Sequence, residues 1–424
     1  MKKISLDGMK KVLLVGPVLT RSGYGEQSRF ALRSLMSRPD LFEVYIQPLQ
    51  WGHTSWLYED DDERAWVDAC IERTIGYMQQ GGQFDMTLQV TIPVEWKKSS
   101  ATVDIGYTAG IETTKVAHQW ITSGNEMDHI IVVSNHSKKI YEETVYDTRD
   151  ENTGQEGSMR LDTSIDVVNY PVKKYESIPE LELDVTTDFN FLTIAQWAPR
   201  KNLDNTIVWF VEEFRDENVG LIVKTNMAKN CQMDLEATED KLRNLLYDHK
   251  DRKCKVYLLH GDMSDEEIHS LYFNDKTSAF LLLTHGEGYG LPLFEAAYSG
   301  MPVVTVGWSG QNDFLHDQNN QTTYYPVGFD LSPIQKELVW DGVLIKESMW
   351  AYAREQSAKS QMRRCYEDLT GPTKEQILAK TCDHAKYLSE EFSEEKMYAK
   401  FVDSVVTACE SSSNQEGEAS VIVL

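Results

Sequence analysis

One short segment of the chain, residues 285–304, constrains the fold more than any other. It places three glycines directly after an apolar run that ends at Thr284, and Pro292 in the first turn of a predicted helix. Proline is tolerated there because the first amides of a helix have no intrahelical acceptor. The order strand, glycine loop, short helix predicts an α/β fold. The free amides and positive dipole at such a helix start favour a bound anion such as a diphosphate.

Two glutamates flank the start of this predicted helix. Glu287 precedes the helix, and Glu295 lies about one turn inside it. Gly300 then provides a left-handed stop, after which residues 302–306 resume an extended strand. The segment therefore reads as strand, loop, helix and strand, with one carboxylate in the loop and one in the first part of the helix.

The two glutamates and the glycines around them resemble the signature of retaining glycosyltransferases of the family 4 type. The resemblance rests on Gly-Glu-Gly-Tyr-Gly-Leu-Pro and Ser-Gly-Met-Pro-Val-Val, and it is strongest from Phe189 to Leu315. It implies the GT-B architecture, an α/β fold of two Rossmann-like domains whose parallel sheets face each other across a cleft. It also implies transfer of a sugar, with retained anomeric configuration, from a nucleoside diphosphate sugar to an acceptor hydroxyl. Neither a metal nor another cofactor is expected.

Short apolar runs alternate with helical stretches in both halves of the chain. The first strand is predicted at residues 11–15, and the same order restarts at 189–194 after an acidic connector. This alternation indicates parallel sheets that bind ligands beyond the carboxyl ends of their strands. Resemblance to GT-B proteins implies that the final helix packs back on the first domain. The predicted divisions are an acceptor-side domain at 1–175, a nucleotide-sugar-binding domain at 189–385, the final helix at 386–409 and a disordered tail at 410–424.

The resemblance assigns roles to both glutamates. Glu295 corresponds to the glutamate that binds the two ribose hydroxyls, a role that suits a carboxylate because it offers only acceptors. Glu287 would lie near the donor sugar, either as nucleophile or as an electrostatic stabiliser of an oxocarbenium-like transition state. Tyr289 forms either a substrate wall or an ordinary loop aromatic. The backbone expected to hold the diphosphate comprises Gly288, Tyr289, Gly290 and Leu291.

Residues 196–202 resemble the basic segment that neutralises the leaving diphosphate in this family. Lys201 matches the family's lysine, but Gln196 stands where the family usually has an arginine. Arg200, or Lys224 at a strand end, would then supply the missing charge. The alternative is an ordinary basic pair at a helix start.

Five first-domain residues are further candidates. Gly23, Tyr24 and Gly25 lie where GT-B proteins bring a glycine loop close to the donor, and small residues permit that approach. Glu112 resembles a first-domain cleft carboxylate, and His118 is a candidate base or sugar contact. With Glu287, these two form the predicted catalytic set. The alternatives are a loop that binds no ligand and a solvent-facing histidine.

A second-domain loop adds two candidates, and an acidic run is set aside. Residues 308–314 resemble a cleft loop of sugar transferases, in which Ser309 and Asp313 are possible acceptor or sugar contacts. An Asx turn is the alternative for Asp313. The run Asp60-Asp61-Asp62 does not follow a clear strand, so no metal site is predicted there.

Composition limits the possible partners and location. The formal net charge of −25 argues against broad nucleic-acid binding, although a local basic groove stays possible. The six cysteines have no paired spacing, which indicates neither a zinc site nor a disulfide framework. No apolar run approaches the roughly 18 residues of a membrane span. We therefore expect a cytoplasmic protein without a transmembrane segment.

Two other readings of the motif remain open. One is a nucleotide or sugar binding protein that kept the fold and lost catalysis. The other is a transferase whose acceptor is a DNA base, as in viral DNA glucosylation. The expected partners are otherwise a nucleotide-sugar donor and a carbohydrate, lipid or other hydroxyl acceptor.

Overall fold

The computed structural model describes residues 8–52, 54–57, 60–149 and 154–419, and it divides into two α/β units. Unit 1 contains Met1–Pro171, Val339–Ser348 and Glu394–Leu424. Unit 2 contains Val172–Leu338 and Met349–Ser393.

Unit 1 is built on a six-stranded parallel sheet. Val12, Leu14 and Leu88 on its central strands are fully buried, as expected where helices cover both faces. The strands are β1 (Lys10–Gly16), β2 (Phe42–Pro48), β3 (Met86–Val90), β4 (Val103–Thr108), β5 (His129–Val132) and β8 (Ile165–Val167), with a separate hairpin of β6 (Tyr146–Arg149) and β7 (Glu156–Met159). The helices between them are α1 (Gly23–Met36), α2 (Asp62–Gln79), α3 (His118–Asn125) and α4 (Asn135–Glu143). The spatial order β2-β1-β3-β4-β5-β8 reverses between β1 and β3.

Unit 2 repeats this plan with a second parallel sheet. Its strands are β9 (Phe189–Ile194), β10 (Val219–Lys224), β11 (Lys255–Leu259), β12 (Ala279–Leu282), β13 (Val303–Val306) and β14 (Tyr325–Val327), followed by an antiparallel hairpin of β15 (Phe329–Pro333) and β16 (Met349–Ala353). Its helices are α5 (Leu203–Glu213), α6 (Gln232–Leu245), α7 (Asp265–Ser270), α8 (Leu291–Tyr298), α9 (Glu355–Thr370) and α10 (Lys374–Glu391). The order β11-β10-β9-β12-β13-β14 is the Rossmann order, so its switch point lies between β9 and β12.

The last helix, α11 (Glu394–Ala419), packs on α1 and β4 of unit 1. Its Phe401 ring lies 5.6 Å from the Phe30 ring and 5.3 Å from the Tyr107 ring, between centroids. The predicted return of this helix to the first domain is confirmed. The helix continues to Ala419, beyond residue 410 where the sequence predicted disorder. Residues 420–424 of the predicted tail lie outside the described residues.

The division of the chain differs from the predicted one at both boundaries of unit 2, which begins at Val172 and ends at Ser393, and in one internal segment. Val339–Ser348 falls within the predicted range 189–385 but belongs to unit 1. The Trp120 indole donates its Nε1–H to the Gly342 carbonyl at 2.8 Å, and Val343 and Leu344 pack on the same apolar cluster. Because this segment covers the Trp120 ring, it belongs to unit 1 and not to unit 2. In the described part of the chain, every helix is too short or too polar to cross a bilayer.

Candidate active site

Two loops meet at the switch point of unit 2. The loop after β9 forms a short 3₁₀ turn at Pro199–Lys201, and the loop after β12 leads into α8. The His285 amide donates to the Arg200 carbonyl at 2.9 Å, and the Thr284 hydroxyl donates to the same carbonyl at 3.2 Å. Parallel α/β sheets bind ligands at such a point.

The Glu287 carboxylate lies at the centre of this meeting point. Lys201 Nζ donates to its two oxygens at 2.7 and 2.8 Å, and Arg200 Nη1 donates to Oε2 at 3.0 Å. Arg200 Nη1 also donates to the Gly286 carbonyl at 2.6 Å. Glu287 is only 5% exposed. The structure thus brings three of the predicted residues into one hydrogen-bonded cluster.

The ionisation of Glu287 follows from these contacts. Burial alone would raise its pKa, but the charges and hydrogen bonds of Lys201 and Arg200 outweigh burial and lower the pKa to about 2. The carboxylate is therefore ionised at neutral pH. It can accept hydrogen bonds and stabilise positive charge, but it has no proton to donate as a general acid.

Helix α8 begins beside this cluster. Gly290 precedes the first helical residue with φ of +97°, a conformation that L-residues with side chains rarely adopt. Pro292 lies in the first turn, and no described side chain caps the helix start. The first amides of α8 are thus suited to an anion, as the sequence predicted.

A neighbouring loop holds the glutamate loop in place. Gly310 approaches so closely that a Cβ there would lie 2.1 Å from the Gly288 carbonyl oxygen. Ser309 Oγ accepts a 2.9 Å hydrogen bond from the Glu287 amide and donates to Gln311 Oε1 at 2.8 Å. Ser309 is 2% exposed and has a strained φ of +80°. Ser309 therefore holds the Glu287 loop in place. This role differs from the acceptor or sugar contact that the sequence predicted.

Tyr289 and Asp313, for which the sequence left two alternatives each, differ in exposure. Tyr289 is 4% exposed, and its ring centroid lies 5.3 Å from Phe294 and 5.0 Å from Phe314. Its ring therefore belongs to the apolar core and is not a substrate wall, whereas its backbone remains in the loop. Asp313 is half-buried at the end of a 3₁₀ turn that begins at Gly310.

Glu295 lies on α8 about one turn after Leu291, as predicted, and is partly exposed. Its Oε2 accepts a 2.9 Å hydrogen bond from the Tyr272 hydroxyl. Burial, and then the Glu295 charge, raise the pKa of Tyr272 well above its usual value. The sequence analysis missed Tyr272, because its distance from Glu295 in the chain gives no signal of the contact.

Lys224 and Gln196 occupy opposite environments. Lys224 ends β10, is 7% exposed, and donates from Nζ to the Gly261 carbonyl at 2.6 Å. Burial lowers its pKa, and the charge of Asp262 opposes this change. Gln196 is exposed and donates from Nε2 to the Met227 carbonyl at 3.0 Å. Arg200 lies in the Glu287 cluster and Lys224 at the end of the neighbouring strand β10, whereas position 196 carries no charge.

His285 is a second residue that the sequence analysis missed as a contributor to the site. Its Nδ1–H donates to the Ala351 carbonyl at 2.7 Å, and its ring stacks on Trp350 with centroids 5.0 Å apart and planes 21° apart. Burial lowers its pKa, although the bond to Ala351 opposes the change. The neutral ring ties the start of the glutamate loop to β16.

The first-domain candidates lie in unit 1. Gly23 and Tyr24 begin α1, and Gly25 is required by packing because a Cβ there would lie 2.0 Å from the Thr20 carbonyl oxygen. Tyr24 Oη and Thr108 Oγ1 are 2.7 Å apart and share a hydrogen bond.

The two predicted catalytic residues of unit 1 differ in setting. Glu112 is half-buried after β4, and its charge contributes to a raised pKa of Tyr24, of which burial is the larger cause. His118 is exposed at the start of α3, with its ring 6.1 Å from that of Tyr146. The structure thus places Glu112 near the glycine loop and His118 on a helix surface. Among the described residues, no group of three or more His, Cys, Asp or Glu side chains is arranged to hold a metal ion.

Comparison with known proteins identifies the fold. No family model matches the chain. The serotype-specific mannosyltransferase WbdA of Escherichia coli is 30% identical over 118 residues, which span 27% of this chain and 13% of WbdA. Sucrose-phosphate synthase from Thermosynechococcus elongatus superposes with a TM-score of 0.59 at 10% identity, over 93% of this chain and 98% of that one. HepE of Anabaena, solved with UDP-glucose, gives 0.54 at 11% identity, over 94% and 100%. With its two Rossmann-like units, this chain has the GT-B fold of glycosyltransferases.

Proposed function

We propose that this chain is a retaining glycosyltransferase of the family 4 type, which moves a sugar from a nucleoside diphosphate sugar to an acceptor hydroxyl. The observation that carries the proposal is the ionised Glu287, held by Lys201 and Arg200 at the switch point of a Rossmann sheet. The mannosyltransferase name of WbdA and the UDP-glucose in the HepE structure support a sugar-nucleotide donor.

The donor is proposed to bind along the carboxyl edge of unit 2. Lys201 and Arg200 offer charged N–H donors to the diphosphate, and the first amides of α8 after Gly290 add neutral ones. Glu295 accepts hydrogen bonds from the ribose hydroxyls, and the Tyr272 hydroxyl donates to its Oε2 and so fixes the carboxylate. Glu287 then lies beside the sugar rather than the base.

The proposed reaction develops negative charge on the leaving diphosphate and positive charge on the sugar, and different groups of the site stabilise each charge. The bond between the anomeric carbon and the diphosphate oxygen breaks, and the acceptor oxygen bonds to the same face of that carbon while its proton passes to the departing diphosphate. Lys201, Arg200 and the α8 amides stabilise the negative leaving group. Ionised Glu287 stabilises the positive sugar. Because the chain supplies the cations itself, the proposal includes transfer without a metal.

A second candidate is a binding protein that kept the fold without catalysis. The observation that favours it is Gln196, an exposed amide in the position where the family usually has an arginine. A transferase acting on a DNA base is a third candidate, disfavoured by the net charge of −25. Cytoplasmic location belongs to the main proposal, since the spacing of the six cysteines indicates no disulfide framework.

The test uses Lys201→Met with Lys276→Met as the matched control, because the Lys276 side chain is 47% exposed in a surface ion pair. Calorimetry with uridine and guanosine diphosphates measures binding, and release of diphosphate from a panel of sugar nucleotides measures turnover in EDTA. Loss of one charge-assisted contact predicts at least about tenfold weaker binding for Lys201→Met only.

Each outcome separates the candidates. Binding with diphosphate release supports the transferase. Binding without release, across many acceptors, supports the non-catalytic protein. Equal binding by wild type and Lys201→Met, or failure of every diphosphate to bind, overturns the placement of the donor.

A further inference from the structure

His285 forms hydrogen bonds in two directions at the start of the loop that carries Glu287. The Ala351 amide of β16 donates to the His285 carbonyl at 2.9 Å, and the His285 Nδ1–H donates to the Ala351 carbonyl at 2.7 Å. The His285 amide instead donates to the Arg200 carbonyl at 2.9 Å. In an antiparallel pair of backbones, the amide itself would donate to the opposite carbonyl. The imidazole therefore takes the place of its own amide toward β16 and leaves that amide to Arg200.

The orientation of the His285 ring is set by aromatic neighbours on β16. Its centroid lies 5.0 Å from that of Trp350, with planes 21° apart, and 4.6 Å from that of Tyr352. Trp350 and Ala351 are buried. Burial lowers the pKa of His285, the bond to Ala351 opposes this change, and the charge of Arg200 lowers the pKa further. The ring is therefore neutral, and its one proton is on Nδ1, because a carbonyl can only accept.

Arg200 is held at both its main chain and its side chain by the segment that follows β12. Its carbonyl accepts from the His285 amide at 2.9 Å and from the Thr284 hydroxyl at 3.2 Å. Its Nη1 donates to the Gly286 carbonyl at 2.6 Å and to Glu287 Oε2 at 3.0 Å. The direction in which the guanidinium points therefore depends on where this segment holds the Arg200 carbonyl.

We propose that His285 is a positioning residue that keeps the Arg200 guanidinium at the Glu287 carboxylate. Its Nδ1–H satisfies the Ala351 carbonyl, so its amide stays on the Arg200 carbonyl. Without a donor at Nδ1, the buried Ala351 carbonyl lacks this partner, which costs about as much as a lost hydrogen bond. The His285 amide is then drawn toward β16 and away from Arg200. The inference rests on the proposed function, in which Arg200 binds the leaving diphosphate.

Few side chains can take this role of His285. The donor has to be on an atom bonded to Cγ, because the amide and the carbonyl of the same residue are already fixed. Asparagine carries an N–H at that position, whereas phenylalanine keeps a ring next to Trp350 but has no donor. Positioning of Arg200 through Nδ1 therefore predicts that His285→Asn retains the role and that His285→Phe loses it.

The test is calorimetry of uridine and guanosine diphosphates on the full chain and its variants. We expect binding about tenfold weaker in His285→Phe, which corresponds to one lost charge-assisted contact, and within about twofold of wild type in His285→Asn. His384→Phe is the matched control, expected to match wild type. His384 is likewise buried and donates from Nε2 to a backbone carbonyl, that of Phe314, at 2.8 Å. Thermal unfolding shows whether each variant is folded.

A double-mutant cycle with Arg200→Met separates positioning from general damage to the site. Once the guanidinium is absent, His285→Phe should weaken diphosphate binding by less than about twofold more. A full tenfold further loss in the Arg200→Met chain would overturn the inference. It is also overturned if His285→Phe binds as wild type does, or if His285→Asn or His384→Phe loses as much as His285→Phe.

Urea unfolding of the four chains of this cycle keeps the two proposals distinct. Diphosphate binding by wild type, without coupling between His285 and Arg200 in either measurement, overturns the inference and leaves the donor site standing. Coupling in the free energy of unfolding, with no diphosphate bound by wild type, supports the hold of His285 on Arg200 and refutes the proposed donor site.

Discussion

The carboxyl edges of the two sheets have the same strand plan and opposite chemistry. In unit 2 the edge gathers Lys201 and Arg200 around the buried carboxylate of Glu287. In unit 1 the corresponding edge carries the packed rings of Tyr24 and Trp51, with Glu95 after β3 and Glu112 after β4. A parallel sheet therefore determines where a ligand binds, whereas the loops at its edge determine the charge of the ligand that fits there.

The largest expected effect comes from Glu287→Gln, which removes the only negative charge of the unit 2 cluster. Lys201 and Arg200 lose their partner, and the positive charge that develops on the sugar is no longer stabilised. Turnover should fall about 10²–10³-fold, whereas diphosphate binding should hold or strengthen. Single-turnover rates and calorimetry measure the two effects.

Glu236→Gln, an exposed carboxylate on α6, is the control. Equal loss of turnover in both variants would show that Glu287 does not stabilise the positive charge on the sugar. Weaker diphosphate binding in Glu287→Gln alone would show that this carboxylate does not oppose a bound anion.

The next largest effect is a pH dependence of the free energy of unfolding that arises from Glu287. The folded pKa of Glu287 is about 2, below an unfolded value of about 4.3, so the ionised group stabilises the folded chain above the unfolded pKa by about 3 kcal/mol. This contribution is lost as the pH falls through the interval between the two values. Urea unfolding of wild type and Glu287→Gln should give a free-energy gap that narrows by about half from pH 6 to pH 3.

A gap that stays constant over this range would mean that Lys201 and Arg200 do not hold the carboxylate ionised. A gap that widens would reverse the sign of the expected pKa shift. The same measurement on Glu236→Gln gives the background from an exposed group.

Gln196→Arg makes the carboxyl edge of unit 2 more cationic. The new guanidinium stands where family 4 transferases usually have one, and a charge-assisted contact to phosphate should tighten diphosphate binding about tenfold. Gln196→Met is the matched neutral variant, and both lose the bond to the Met227 carbonyl. Identical dissociation constants for wild type and Gln196→Arg would show that the charge is already supplied by Arg200 and Lys224.

The smallest expected effect is that of Glu112→Gln at the unit 1 edge. An amide replaces one acceptor of a sugar hydroxyl, so glycoside binding should weaken about threefold to fivefold with unchanged diphosphate binding. Glu142→Gln, exposed on α4, is the control. Weaker diphosphate binding in Glu112→Gln would show that this carboxylate of unit 1 contributes to donor binding, which the proposal assigns to unit 2.

Local chemistry made the glutamate segment predictable from sequence. Helix α8 begins at Leu291, Gly300 adopts a left-handed φ of +77°, and the next strand spans Val303–Val306, all as the glycines and proline indicated. The spacing Ser264-Asp-Glu-Glu267 is another local signal, and the structure contains the capping box that this spacing favours. In each case neighbouring residues suffice to determine the conformation.

Contacts between distant residues were beyond the sequence. Lys201 and Glu287 are 86 positions apart, and their pairing depends on β9 and β12 being neighbours, which periodicity does not reveal. The burial of Tyr289 and Ser309 likewise depends on how two loops pack. Polar residues in glycine loops look exposed when only their neighbours in sequence are known.

The placement of α11 has a consequence for biosynthesis. Phe401 covers Phe30 and Tyr107 of unit 1, yet it is separated from them by the whole of unit 2. A ribosome must therefore translate the whole of unit 2 before Phe401 can pack on the sheet of unit 1, and until then Phe30 and Tyr107 lack this contact. Fragments that stop at Pro171 should consequently aggregate, whereas fusion of residues 394–411 through a flexible linker should restore solubility.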